Sequence, residues 1–181
     1  VTLTASTINQ TGSVSANSSS SAGGNITMAA KEINLSSTSK TLATGVQSGG
    51  QINVHAANTV NVNAGAIVNA SALQNGNGGA IAINAPVINL KGQLITQGGT
   101  QFGNGGKIST TTSSLNVDNN TVIDASASNG QAGSWSINMP EINLDQNLAN
   151  LISATLNSTN VVINTFKNLN FALAKTASNM S

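Results

Sequence analysis

The chain has 181 residues, of which 39% are hydrophobic, only 2% aromatic and 6% charged, with a formal net charge of +1. This length is enough for one domain with its own core, and so small a net charge excludes the self-repelling composition of ordinary disordered chains. There is no arginine and the six lysines are scattered, which excludes a basic patch for nucleic acid, and the lack of cysteine excludes disulfides and thiolate-bound metals.

In chain order, the first alternating triplet is Val1-Thr2-Leu3, and seven residues further on comes Ile8-Asn9-Gln10. The same couple returns as Ile26-Thr27-Met28 with Ile33-Asn34-Leu35, as Ile52-Asn53-Val54 with Val60-Asn61-Val62, and as Ile81-Ala82-Ile83 with Ile88-Asn89-Leu90. It continues as Ile108-Ser109-Thr110 with Leu115-Asn116-Val117, as Trp135-Ser136-Ile137 with Ile142-Asn143-Leu144, and as Val161-Val162-Ile163 with Leu169-Asn170-Phe171. The asparagines of the second triplets stand 25, 27, 28, 27, 27 and 27 residues apart. Alternation of this kind reads as two short strands per repeat, with the first and third residue of each triplet on one face and the middle residue on the other. A weaker third strand follows, clearest around Val14, Ile67, Leu94 and Val122.

Each unit closes on small residues: Gly23-Gly24, Gly49-Gly50, Gly76-Asn77-Gly78-Gly79, Gly103-Asn104-Gly105-Gly106 and the eroded Gly130-Gln131-Ala132-Gly133. Paired glycines are expected to mark corners, because glycine permits φ > 0 in a close turn. After Leu144 the pattern lapses over residues 145–160. Leu148, Leu151 and Ile152 fall there at helical spacing behind an N-cap, which predicts an irregular loop or short helical turn and the place to look for a feature lifted off the rod.

A three-residue strand is not stable alone, but it becomes so when units stack and their backbones pair at about 4.8 Å. The expected fold is therefore all-β, a right-handed parallel β-helix (solenoid) of about seven coils of 25–28 residues. Residues 1–181 read as a single β-helical segment of a longer rod. An antiparallel sandwich is the rival all-β solution, but it would show hairpin signals every 8–12 residues instead of one strand order repeated.

Asn9, Asn34, Asn61, Asn89, Asn116, Asn143 and Asn170 are then expected in one outward file, their amides bonded from coil to coil. The file is chiefly structural, and, flanked by serine and threonine, it is also the binding face to consider for sugars or another protein. Of the carboxylates Glu32, Asp118, Asp124, Glu141 and Asp145, only Asp118 and Asp145 are expected to stack. With no third carboxylate beside them they are weak material for a calcium or acid–base site. His55 is expected alone at a solvent-facing corner after its strand, and the glycine clusters precede strands and not helices, so they are not phosphate loops. The sequons at Asn9, Asn25, Asn34, Asn69, Asn119 and Asn157 follow from composition, and the first-strand file from Thr2 and Thr27 to Val162 is too mixed for an ice-binding face. No catalytic residue, metal ligand or cofactor is expected.

The order Gly-Gly, first strand, aliphatic-Asn-aliphatic triplet, Gly-Asn-Gly-Gly resembles the shaft repeats of the filamentous-haemagglutinin-like exoproteins of two-partner secretion, over the whole chain. Within Leu151 to Thr165, the run Leu156-Asn157-Ser158-Thr159-Asn160-Val161-Val162-Ile163 is similar to a phrase common in those shafts. The resemblance implies a stalk secreted unfolded through an outer-membrane partner of a Gram-negative bacterium, then held at the cell surface or released. It also implies adhesion to a host-cell receptor or glycan, or to biofilm matrix. The open first and last coils add an expected end-to-end self-association. The rival readings are a β-helical polysaccharide lyase or glycosidase, and a passive spacer.

Overall fold

The computed structural model describes residues 1–171. Every strand pairing in it is parallel, and successive units lie directly over one another. Seven coils are counted by their first strands: Thr2–Thr4, the leading parts of Asn25–Leu35 and Gln51–Val62, then Ala80–Asn84, Lys107–Thr111, Ser134–Asn138 and Asn160–Asn164. These form one continuous sheet in chain order. Second strands flank it, from Thr7–Gln10 through Val87–Leu90 and Ser114–Val117 to Ile142–Leu144 and Leu169–Phe171. The third strands Ser13–Ser15, Lys40–Leu42, Ile67–Asn69, Gln93–Ile95 and Val122–Asp124 make a sheet of their own. The solenoid completes about six turns. Residues 172–181 of the expected rod lie outside the described residues.

The inward columns are those of the triplets. Ile26, Ile52, Ile81, Ile108 and Trp135 stack in one, and Met28, Val54, Ile83, Thr110 and Ile137 in the next, all buried. The polar residues in these triplet columns have partners among the described residues. Trp135 Nε1 donates to Thr110 Oγ1 at 3.2 Å, and at the other end buried Gln10 accepts from Thr41 Oγ1 at 3.0 Å while donating to the carbonyls of Gly12 and Lys40. Pairing of this kind offsets the cost of burying a polar group. Thr41 also marks the third strand of the second coil, which the hydrophobic pattern missed. The third strands expected around Val14, Ile67, Leu94 and Val122 are present, and in their sheet Val14, Thr41, Val68, Leu94 and Ile123 occupy the middle of their strands, while Val122, at the start of its strand, is exposed.

The glycine corners also need a corrected explanation. Positive φ occurs among the described residues only at Gly65, Gly76 and Gly103. The paired glycines have ordinary φ and are there for space. In the second member, the N–H closes its own coil, as Gly79 N to Ala70 O at 2.7 Å and Gly106 N to Thr96 O at 2.6 Å. A Cβ on Gly79 would sit 1.9 Å from Gly50 O, and on Gly106 2.1 Å from Gly79 O, both in the coil before. For the first member the obstruction is in the coil after: Ala70 O at 1.8 Å from a Cβ on Gly49, Ala125 O at 1.7 Å from one on Gly105. Each pair is thus pressed from both sides.

At the sixth coil the third strand is replaced by an α-helix, Gln146–Thr155. Asp145 caps it, its Oδ1 accepting from Leu148 N at 2.8 Å, which satisfies one of the free N–H groups of the first turn. Leu148 and Leu151 are buried in the common core, and the helix packs over the second and third strands of the fifth coil. It is therefore laid against the rod, covering the edge of Val122–Asp124, and is not a feature lifted off it. Behind it, Thr159 takes the place of the second glycine, and its Oγ1 accepts from the otherwise open Ala125 N at 2.8 Å.

Candidate binding surfaces

The asparagine file is outward, as the triplet alternation requires, and its amides bond to one another. Asn34 Nδ2 donates to Asn9 Oδ1 at 2.8 Å, Asn61 to Asn34 at 2.6 Å, Asn89 to Asn61 at 2.7 Å and Asn116 to Asn89 at 2.8 Å. There the ladder stops. The second strands of the fifth and sixth coils are not paired, and the file resumes only with Asn170 Nδ2 donating to Asn143 Oδ1 at 3.1 Å and to Glu141 Oε1 at 3.0 Å. The expected single file of seven is thus a run of five and a run of two.

The interruption has a steric cause. A helix is about 10–12 Å across with its side chains, whereas coils stack about 4.8 Å apart, so a helix cannot occupy one coil's share of the stack. Inserted in the sixth coil, it parts that coil's second strand from the one before. Leu115 and Val117 are only half-buried in consequence, where Ile88 and Leu90 one coil earlier are fully buried.

Chemically, a ladder amide spends one N–H and one oxygen lone pair on its neighbours. It keeps one of each for solvent or a ligand.

The ionisable residues do not converge. Asp118 Oδ1 accepts from Asn120 N in its own turn, Asp145 caps the helix, and Asp124 accepts from Ser126 N and Gln97 Nε2. The expected stacking of Asp118 on Asp145 fails because the strands that carry them are the unpaired ones. Among the described residues no three His, Asp or Glu side chains are grouped as a metal would need. His55 faces solvent as expected, but it lies inside the strand Gln51–Val62, between Ala29 and Asn84, and not at a corner.

The concavity that the triplets did not reveal is a groove of about 630 Å³ along the corner between first and second strands, spanning coils four to seven. Asn84, Thr111, Asn138 and Asn164 align along one side of it by sheet register. Pro86, Ser113, Pro140 and Phe166 occupy the other, with Ala85, Thr112 and Met139 buried beneath. Neither proline has an N–H to give to a sheet, and each stands where its coil turns out of the first strand. A sequence signal was there to be read: the chain's two prolines occupy equivalent positions two coils apart.

A comparison with protein-family models gave no match to this chain, and a comparison with curated proteins gave none either. The parallel β-solenoid is therefore established by the strand pairing itself. No helix among the described residues is long and apolar enough to cross a membrane.

Proposed function

We propose that this chain is a segment of a secreted surface exoprotein of a Gram-negative bacterium, carried out through an outer-membrane secretion partner. Its work is attachment, through its surface, to a host-cell receptor or glycan or to biofilm matrix. The observation that carries this reading is the extended outward face of amides, hydroxyls and small side chains, kept in register from coil to coil by the Asn9 to Asn116 ladder. Such a face repeats one set of weak hydrogen-bonding groups many times, so a repetitive or multivalent partner gains by avidity what each contact lacks. The resemblance of the repeats to haemagglutinin-like shafts supports the same reading.

A passive spacer is the second reading, favoured by the amides already being bonded to one another. Binding of the 181-residue chain to a glycan array and to cultured host cells separates the two. Retention above a scrambled-sequence control supports attachment; no retention on either surface leaves the spacer.

A further inference from the structure

Resting on the adhesive reading and naming its ligand, we propose that the corner groove of coils four to seven binds a linear, uncharged polysaccharide laid along the rod axis, with Phe166 as its stacking platform. None of the described residues lining the groove is ionisable. A charged ligand would lose water there without gaining a counter-charge, whereas a neutral one meets only amides, hydroxyls and apolar surface.

The polar groups of the groove are placed to read hydroxyls. The Asn84 amide and the Ser113 hydroxyl face solvent, and Asn164 gives an N–H to Asn138 Oδ1 at 2.8 Å; among the described residues neither the Asn84 and Ser113 side chains nor the Asn164 amide oxygen has a further hydrogen-bond partner. The floor formed by Ala85 and Met139 suits the C–H faces of sugar rings. Equivalent positions recur at the coil spacing of about 4.8 Å, close to the length of one pyranose in an extended chain, so successive sugars meet successive coils.

Phe166 completes the groove. It is 79% exposed and contributes almost nothing to its own core, and its negative π face is the natural partner of the polarised C–H groups of a sugar.

The test uses the full 181-residue chain, titrated calorimetrically with cellohexaose, mannohexaose and, as the charged counterpart, hexagalacturonate. A neutral hexaose is expected to bind, hexagalacturonate at least tenfold more weakly. Phe166→Ala should lower the neutral affinity at least tenfold with an unchanged thermal melt, Phe166→Trp should retain it, and Phe102→Ala, exposed elsewhere on the rod, should leave it unaltered. Equal binding by Phe166→Ala, equal or tighter binding of the uronate, no binding of any hexaose, or a dimer in sedimentation that Phe166→Ala abolishes would each overturn the groove assignment. If the chain still adheres to the array and to cells when the groove assignment has failed, attachment stands and uses another face; if it adheres to neither, the attachment reading has itself failed.

Discussion

Coils two to four and coils five to seven are built from the same triplets, yet they behave differently. In the earlier coils all three strands are stacked, the amide ladder is unbroken, and the corner glycines are pressed on both sides by backbone of the adjoining coils. In the later ones a helix stands in for a strand, the ladder is cut between Asn116 and Asn143, and the glycine pair decays first to Ala132-Gly133 and then to Ser158-Thr159. The loss of the first glycine follows from the helix. The first glycine of a pair is required by the third-strand end of the following coil, and Ala132 faces a coil that has a helix there; its Cβ is therefore admitted. A solenoid repeat is thus conserved within a chain only where a neighbour enforces it, which is the nearest-neighbour logic of stacked repeats.

The largest effect that tests this contrast is at the corner. Gly79→Ala should destabilise by more than about 4 kcal/mol, because the clash is with backbone, and its expected readout is loss of a cooperative thermal transition. Thr159→Ala, at the equivalent place behind the helix, should cost only about 1–3 kcal/mol, the penalty for leaving Ala125 N without its partner. Equal losses at the two sites would erase the distinction.

Next in size is the helix. Leu151→Ala should cost about 2–5 kcal/mol and raise amide exchange over Val122–Asp124, whose edge the helix covers. Exchange that rises elsewhere but not there would mean that the helix does not protect that edge.

The ladder offers a smaller and sharper comparison. Asn61→Ala removes two amide–amide bonds and should cost about 1–2 kcal/mol, whereas Asn143→Ala removes one and should cost about half as much by denaturant melting. Similar values would show that the ladder contributes nothing beyond solvent hydrogen bonding.

A final substitution should stabilise. Thr96 is fully buried in a column otherwise made of Ala43, Ala70 and Ala125, and its Oγ1 has no partner among the described residues. Thr96→Val keeps the shape and removes the stranded hydroxyl, with an expected gain of about 1 kcal/mol in melting experiments.

Much of the fold was legible because alternation states directly which way a side chain points once stacking is granted. The triplets of Ile33-Asn34-Leu35 and Ile88-Asn89-Leu90 needed no tertiary information to place aliphatic residues within and amides without. The third strand was less legible for the same reason reversed: Thr41 is inward but polar, so hydrophobicity alone passed over the second coil's strand, while the apolar Ile67 and Val122 mark their strands without filling the inward position. The groove escaped notice because it is made of residues that follow the strands; the equivalent placing of Pro86 and Pro140 marked the corner, but no periodic rule ranks Phe166 above its neighbours.

What the sequence determined by itself was the period, the direction of stacking and the membership of the core columns, since all three follow from backbone spacing and from the burial of every second residue. The tertiary structure alone decided where the ladder breaks, why the corner glycines are needed and where a groove opens. Those depend on the width of a helix set against the spacing of coils, and on how close one backbone comes to the next, and neither quantity is written in any single repeat.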